Sequence, residues 1–202
     1  MAGKIVEGIV KSMNIHLILG GARSGKSTYA EKLALETDLP VTYMATAQIY
    51  DDEFKVRVQH HKDRRPAHWK VIEEPHFLST ALQTNIDEAS KASKNAPANQ
   101  CIIVDCLTLW LAQCICPECT PTEGVDWPAQ RETFLAQLKL FQDNNFYGNL
   151  ILVSNEVGMG IVPLGAINRQ FQDEQGRLNQ AVAAIADKVS FIAAGLPLKL
   201  KG

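Results

Sequence analysis

Residues 15–27 read IHLILGGARSGKS, an apolar run followed by a glycine-rich turn that ends in lysine and serine. Residues 20–27 fit the pattern Gly-x-x-x-x-Gly-Lys-Ser, in which glycines let backbone N–H groups wrap around phosphates. The apolar run predicts a strand, and the residues after the turn predict a helix whose N-terminus attracts anions. The sequence therefore predicts a P-loop. Its phosphate-binding residues are Gly20, Gly21, Ala22, Arg23, Ser24, Gly25, Lys26 and Ser27.

Three side chains are predicted to carry the chemistry of this loop. Lys26 is expected to reach the β- and γ-phosphates, and the Ser27 hydroxyl is expected to hold Mg²⁺. Asp105 ends the apolar run 101–104 and is predicted to be the second carboxylate that holds Mg²⁺ or its water. The alternatives are a glycine turn without a ligand and an ordinary strand-end aspartate that caps the next turn.

Apolar runs alternate with helical periods along the chain, which is typical of a parallel sheet covered by crossover helices. We expect an α/β fold, a P-loop NTPase-like three-layer sandwich with a mostly parallel central sheet, in a single domain spanning residues 1–202. The expected strands are 15–19, 41–45, 69–72, 101–105, 150–154, 189–193 and 196–200, the last at an edge. The expected helices are 26–36, 51–65, 77–92, 129–145 and 165–187. We interpret 1–13 as an N-terminal extension, 91–100 as a connecting loop and 114–128 as an irregular loop.

The composition is that of an ordinary soluble protein, with 46% hydrophobic and 21% charged residues. The formal net charge of −2 gives no global attraction to nucleic acid. No apolar run reaches the length needed to span a membrane. Residues 1–13 lack the uninterrupted apolar stretch of a secretory signal, so we expect a cytoplasmic protein.

The five cysteines fit a reducing compartment better than a disulfide framework. Cys101 and Cys106 flank an apolar strand and are predicted to be buried thiols. Cys114, Cys116 and Cys119 form a C-x-C-x-x-C cluster, which we interpret as structural or incidental thiols on a surface loop. A zinc site is the alternative, although no fourth ligand follows at finger spacing.

Four of the five histidines lie between positions 60 and 76, and residues 59–69 read QHHKDRRPAHW. On a helix, His60 shares a face with Arg57 and Arg64, at spacings of three and four residues. Two guanidinium groups beside an imidazole suit contact with phosphate and favour the neutral, nucleophilic form of the ring. A solvated, charged helix face is the alternative.

Several segments together resemble one family, in this order along the chain. They are GGARSGKS at 20–27, ATAQIYDDE at 45–53, HHKDRRPAHW at 60–69, NEVGMGIVP at 155–163 and GRLNQ at 176–180. The family is the bifunctional adenosylcobinamide kinase/adenosylcobinamide-phosphate guanylyltransferase of cobalamin biosynthesis, and the resemblance covers about residues 15–201. The P-loop is common to many families, whereas the other motifs are specific.

The resemblance implies an enzyme that phosphorylates adenosylcobinamide with ATP or GTP and Mg²⁺, then transfers GMP from GTP through a GMP-histidine intermediate. His60 matches the intermediate histidine. It also implies a trimer. Beyond residues 20–27, the implied nucleotide contacts are Ala45, Thr46, Ala47, His61, Lys62, Asp63, Arg64, Glu73 and Asp105. One departure is Arg64, where family members commonly have glycine, and another is the stretch 114–127, which matches no family motif.

Two other functions remain open from the residues alone. One is a P-loop kinase of another small molecule, with the histidines as surface residues. The other is a nucleotide-dependent assembly or switch protein with the cysteine cluster on a metal. The loop 155–163 follows a strand, so it is expected at the carboxyl edge of the sheet, in the corrinoid or nucleotide site. Arg169, Asp173 and Arg177 recur every four residues and predict a surface ladder of ion pairs.

Overall fold

The structure is a computed structural model that describes residues 14–48, 59, 65–92, 99–116, 125–143 and 147–202. Within these ranges the chain forms seven strands and five helices. The strands are β1 (Asn14–Gly20), β2 (Val41–Ala45), β3 (Lys70–Glu73), β4 (Asn99–Asp105), β5 (Tyr147–Asn155), β6 (Lys188–Ala193) and β7 (Leu196–Lys201). The helices are α1 (Lys26–Leu35), α2 (Leu78–Ala92), α3 (Leu107–Ile115), α4 (Trp127–Asp143) and α5 (Ala166–Ile185).

The strands form one sheet in the order β3-β2-β4-β5-β1-β6-β7. Strands β1 to β6 pair in parallel, and β7 pairs antiparallel with β6 at the edge. Because all six parallel strands end at the same side of the sheet, the loops that follow them meet there. Strand β5 lies between β1, which enters the phosphate loop, and β4, which ends in Asp105.

Buried apolar side chains of the described residues form two clusters, one on each face of the sheet. Along β4, Ile102 and Val104 face the cluster that also contains side chains of α2, α3, α4 and α5. The alternate residues Cys101 and Ile103 face the cluster that contains Ala30 of α1. This alternation follows from the two-residue period of a strand. The arrangement confirms the predicted α/β three-layer sandwich with a mostly parallel sheet.

Every predicted strand is present, with ends that differ by up to three residues. The largest differences are at β4 and β5, which begin earlier than expected, so that Asn99 and Gln100 pair with Tyr147 and Gly148 instead of lying in a loop. Of the predicted helix 51–65, most residues lie outside the described ranges.

The boundaries of the irregular loop 114–128 were wrong at both ends. Cys114 is in α3, a helix that the sequence reading missed, and it is buried rather than on a surface loop. At the other end, Trp127 and Pro128 open α4, where a proline in the first turn leaves no hydrogen bond unmade. Residues 117–124 are outside the described ranges.

The predicted ladder of ion pairs on α5 is also wrong. Arg177 pairs with Glu174, three residues before it, rather than with Asp173. Arg169 instead donates to the backbone carbonyl oxygens of Pro163 and Leu164, so it holds the end of the preceding loop. Among the helices that the structure describes, none is long and apolar enough to cross a membrane.

Candidate functional site

The phosphate loop is a tight turn between β1 and α1, and glycine is required at two of its positions. Gly20 has φ 152°, and a Cβ there would lie 2.4 Å from the carbonyl oxygen of Ile192. Gly25 has φ 101°, and its Cβ would lie 3.2 Å from the Cα of Gly195. The N–H of Gly195 donates to the carbonyl oxygen of Ser24 at 2.8 Å, so the β6–β7 turn packs directly against the loop.

Lys26 opens α1 with its side chain folded back over the loop. Its ammonium group donates to the carbonyl oxygen of Gly21, and little of the residue is exposed. Burial lowers the pKa of Lys26, and the nearby Cys106 and Asp105 side chains oppose that shift. Lys26 is therefore held over the phosphate loop and interacts electrostatically with Asp105 at the end of β4, as expected for a group that meets phosphate.

Three of the predicted nucleotide contacts lie side by side at the carboxyl edge of the sheet. In the strand registers, Glu73 pairs with Ala45, and Ala45 pairs with Asp105. The N–H of Thr46 donates to the carbonyl oxygen of Asp105 at 3.2 Å. The Thr46 hydroxyl also donates to the carbonyl oxygen of Cys106 and accepts from the Cys106 N–H. The ends of β2 and β4 are thereby fixed to each other.

The Asp105 carboxylate accepts a hydrogen bond from the Tyr43 hydroxyl at 2.6 Å. Burial raises the pKa of Tyr43 well above its usual value, and the Asp105 charge adds to the effect, so the phenol keeps its proton and remains a donor. The guanidinium carbon of Arg65 lies 3.5 Å from the centre of the Tyr43 ring. The sequence reading assigned neither Tyr43 nor Arg65 to the site.

The residues present fit a Mg²⁺ ion that is held largely by a nucleotide. Asp105 and Ser27 offer a carboxylate and a hydroxyl, which are the hard oxygen ligands that Mg²⁺ takes. Ser27 lies at the start of α1 and Asp105 at the end of β4, and both side chains are half-buried. No group of three or more His, Cys, Asp or Glu residues that could hold a metal occurs within the described ranges. Two protein ligands completed by phosphates match the usual Mg²⁺ site of a P-loop enzyme.

The loop after β5 begins beside the phosphate loop, as the strand order predicts. The Asn155 carbonyl oxygen accepts from the Asn179 amide at 3.0 Å, and Asn179 also accepts from the Ser154 hydroxyl at 2.7 Å. Gln175 donates to Ser154 and to Asn179 from the same helix, α5. The segment GRLNQ at 176–180 thus supports the start of the segment NEVGMGIVP at 155–163 through the hydrogen bond from Asn179 to Asn155.

Beyond this anchor, the loop exposes apolar side chains. Ile161 and Leu164 are 97% and 98% exposed, and Met159 is 79% exposed. Soluble proteins seldom expose several large apolar side chains in one segment unless something binds there.

Helix α3 carries two supporting residues that were missed. The Gln113 amide donates to the carbonyl oxygen of Thr46, and Thr108 accepts from the Asn155 N–H at 2.7 Å. Both are polar side chains buried among apolar neighbours. The sequence signal for this helix is the spacing of Leu107, Leu111 and Cys114, which fits a helical period, but in so short an apolar run it does not distinguish a helix from a strand.

The structure leaves two groups of assigned residues untested. His60, His61, Lys62, Asp63 and Arg64 lie outside the described ranges, so their placement remains a prediction. Of the cysteine cluster, Cys119 also lies outside them. Cys101 and Cys106 are buried thiols as predicted, and burial raises the pKa of both, and of Cys114, to about 12.

Solved structures with a similar fold include nucleotide-hydrolysing domains. The ATPase domain of G40P matches with a TM-score of 0.52 and 15% identity, over 90% of this chain and 69% of that one. A protein of Pyrococcus horikoshii OT3, from project PH0250, matches with a TM-score of 0.54 and 8% identity, over 95% of this chain and 88% of that one. At these identities the likeness shows the fold alone.

The sequence comparisons are much closer and span nearly the whole chain. The family model described as cobinamide kinase / cobinamide phosphate guanyltransferase matches residues 16–200. The bifunctional adenosylcobalamin biosynthesis protein CobP of Pseudomonas aeruginosa is 46% identical, over 92% of this chain and 96% of its own length. The corresponding CobU proteins of Salmonella typhimurium and Escherichia coli are 38% and 34% identical, each over 92% of this chain and 98% of their own length. This chain belongs to the cobinamide kinase / cobinamide phosphate guanyltransferase family.

Proposed function

We propose that this chain is a bifunctional enzyme of cobalamin biosynthesis that performs two reactions in sequence. It phosphorylates the aminopropanol hydroxyl of adenosylcobinamide with a nucleoside triphosphate. It then transfers GMP from GTP to adenosylcobinamide phosphate, which gives adenosylcobinamide-GDP and pyrophosphate. The observation that carries the proposal is the family match over residues 16–200, together with a complete phosphate loop whose Lys26 lies near Asp105.

The kinase step uses the phosphate loop to hold the triphosphate. The substrate hydroxyl attacks the γ-phosphorus, the bond from that phosphorus to the β–γ bridging oxygen breaks, and the nucleoside diphosphate leaves. Lys26 stabilises the negative charge on the transferred group, and the N-terminus of α1 adds positive potential. Asp105 and Ser27 would hold Mg²⁺, which neutralises phosphate charge when bound.

The guanylyl-transfer step uses His60 as a covalent nucleophile. A neutral imidazole nitrogen attacks the α-phosphorus of GTP, a P–N bond forms, and pyrophosphate leaves. An oxygen of adenosylcobinamide phosphate then attacks the same phosphorus and breaks the P–N bond, which frees His60. This assignment rests on the sequence match of residues 60–69.

The loop after β5 is proposed to contact the corrinoid substrate. Glu156 is joined to Gly20 by a backbone hydrogen bond of 3.0 Å, so the loop starts where phosphate transfer takes place. The loop then presents an apolar surface formed by Met159, Ile161 and Leu164. A corrin macrocycle offers a large apolar face to such side chains. A role in nucleotide binding fits these apolar side chains less well.

Guanine-nucleotide contacts are assigned to residues 20–27, 45–47 and 61–64, with Glu73 and Asp105. GTP and ATP are the nucleotide substrates, and Mg²⁺ is the metal ion. A cytoplasmic location and a homotrimer follow from the sequence and the family resemblance.

The experiment that tests the function is a stepwise turnover assay. Purified protein is incubated with adenosylcobinamide, Mg²⁺ and either ATP alone or ATP with GTP, and corrinoids are separated by chromatography. With ATP alone the expected product is adenosylcobinamide phosphate, and addition of GTP should convert it to adenosylcobinamide-GDP. A product that stops at the phosphate under both conditions would assign a kinase without guanylyl transfer. Absence of any corrinoid product would reject the proposal.

A further inference from the structure

We propose that Tyr43 is a positioning residue that orients the Asp105 carboxylate, and that Arg65 holds the Tyr43 ring in place. The three residues thereby connect the segment that carries His60 to the end of β4. The inference rests on the proposed function only in its assignment of Asp105 to the Mg²⁺ site.

The contact between Tyr43 and Asp105 follows from the register of two parallel strands. Tyr43 in β2 pairs with Ile103 in β4, and Ala45 pairs with Asp105. Residues two apart on a strand share a face, so the Asp105 side chain lies diagonally one step beyond Tyr43 on the same face. The phenol is long enough to span this diagonal, and its oxygen reaches Oδ2 of Asp105 at 2.6 Å.

This hydrogen bond fixes the direction of the carboxylate. Tyr43 is 1% exposed and packs in the apolar cluster on the α1 face of the sheet, so its ring cannot change position without disturbing the core. Within the described part of the chain, no second side chain donates to the Asp105 carboxylate. A short hydrogen bond from a buried phenol to an ionised group is a strong one, so it selects one orientation of Asp105 and leaves Oδ1 for a metal ion or its water.

The Arg65 guanidinium stacks on the face of the Tyr43 ring. Its guanidinium carbon lies 3.5 Å from the ring centre, which is a cation–π contact. Its Nε and Nη1 atoms are buried and have no hydrogen-bond partner among the described residues. Stacking on Tyr43 orients this guanidinium, and Arg65 follows His60 by only five residues. Loss of Tyr43 or of Arg65 should loosen the same carboxylate.

The test measures metal binding without corrinoid or turnover. Mn²⁺ is titrated into the full protein with a non-hydrolysable GTP analogue, and free Mn²⁺ is followed by electron paramagnetic resonance. Tyr43→Phe keeps the ring in the core and removes only the hydroxyl. We expect the Mn²⁺ dissociation constant to rise about tenfold, which is the loss of one charge-assisted hydrogen bond. Tyr29→Phe is the matched control, because Tyr29 contacts His16 and not Asp105, and it should bind Mn²⁺ as the parent does.

A double variant separates positioning from general damage. Arg65→Met should also raise the Mn²⁺ dissociation constant. The double variant with Tyr43→Phe should bind Mn²⁺ no more weakly than Tyr43→Phe alone, because both substitutions act through one carboxylate. Arg65→Lys should bind Mn²⁺ little better than Arg65→Met does, since an ammonium group does not stack as a planar guanidinium does. In turnover, high Mg²⁺ should restore most of the kcat of Tyr43→Phe.

An unchanged Mn²⁺ dissociation constant in Tyr43→Phe, or effects that add in the double variant, would overturn the inference. Failure of the parent protein to act on adenosylcobinamide would reject the proposed function instead. The two failures are distinguishable because Mn²⁺ binding is measured without that substrate.

Discussion

The backbone N–H of Glu156 donates a hydrogen bond to the carbonyl oxygen of Gly20 at 3.0 Å, so the loop after β5 begins at the first residue of the phosphate loop. This contact joins a segment with an exposed apolar surface to the site of phosphate transfer. It also shows how a loop that is far from the P-loop in sequence lies beside it in the fold.

The apolar side chains of that loop should contribute to corrinoid affinity. Ile161→Ser and Met159→Ser are each expected to raise the KM for adenosylcobinamide about ten- to 150-fold, since a buried aliphatic side chain contributes about 1.5–3 kcal/mol. The KM for GTP should not change. Leu140→Ser, at an exposed apolar position on α4, is the control. An unchanged corrinoid KM would remove the loop from the site, and a change in oligomer size would assign the surface to self-association.

Lys26→Ala should abolish both activities while the protein stays folded. Lys26 is the cation placed against the phosphates, and loss of one such preorganised group costs about 10²–10³ in kcat or more. Steady-state assays of both steps measure the effect, and circular dichroism verifies the fold. The matched control is Lys32→Ala on the same helix, because Lys32 is exposed and pairs with Glu36 at 3.9 Å. Parental rates in Lys26→Ala would reject the phosphate-loop assignment.

Asp105→Asn should impair turnover mainly through Mg²⁺. The amide keeps the size of the side chain and still accepts from Tyr43, but it lacks the charge that attracts the ion. We expect kcat to fall by about 10²-fold and half-saturation to shift to higher Mg²⁺ concentration, as for removal of one electrostatic group. The measurement is the initial rate across a Mg²⁺ series. A variant with parental rate and Mg²⁺ dependence would make Asp105 a structural residue.

The sequence predicted the strands and the phosphate loop because their signals are local. A buried parallel strand is a short apolar run, and the P-loop is a fixed spacing of glycine, lysine and serine. Helix α3 was missed because its nine residues are almost entirely apolar, and such a short run does not distinguish a helix from a strand. Its Gln113 therefore could not be recognised as a support for Thr46.

The support of Asp105 could not be predicted, for a different reason. Tyr43 reaches Asp105 only because β2 and β4 are neighbours in a particular register, and nothing in the local sequence specifies that pairing. Arg65 belongs to the segment HHKDRRPAHW at 60–69, but its contact with the Tyr43 ring depends on how the chain returns to the sheet before β3. Side chains that act through tertiary contacts leave no local pattern.

The free energy of unfolding should fall on acidification because His16 becomes protonated. The ring is half-buried, its Nε2 lies 2.9 Å from the Ser190 hydroxyl, and burial together with the Lys188 charge lowers the pKa of His16 from 6.5 to about 4. Because the folded-state pKa is below the unfolded value, the unfolded state binds more protons between these two pH values. The stabilisation is therefore present above the unfolded pKa and is lost as the pH falls from about 6.5 to about 4.

The change in the free energy of unfolding attributable to His16 should be roughly 1–2 kcal/mol, after allowance for its partial exposure. Urea unfolding at several pH values, on the parent and on His16→Asn, measures it. His16→Asn should lose less stability across this window than the parent does. Identical pH profiles in the two proteins would contradict the assignment.

Guanylyl transfer through a covalent intermediate requires that GMP is carried on His60, and a labelling experiment tests this requirement. The protein is incubated with α-labelled GTP and Mg²⁺, and the label is located by peptide mapping. We expect one label on His60 that is lost in acid and retained in base, as for a phosphoramidate. His60→Ala should lose the label and guanylyl transfer but keep kinase activity, because γ-phosphoryl transfer needs no covalent intermediate. His61→Ala should retain label. Label on His61, His68 or a lysine would contradict the residue assignment, and the absence of any acid-labile label during turnover would contradict the covalent mechanism itself.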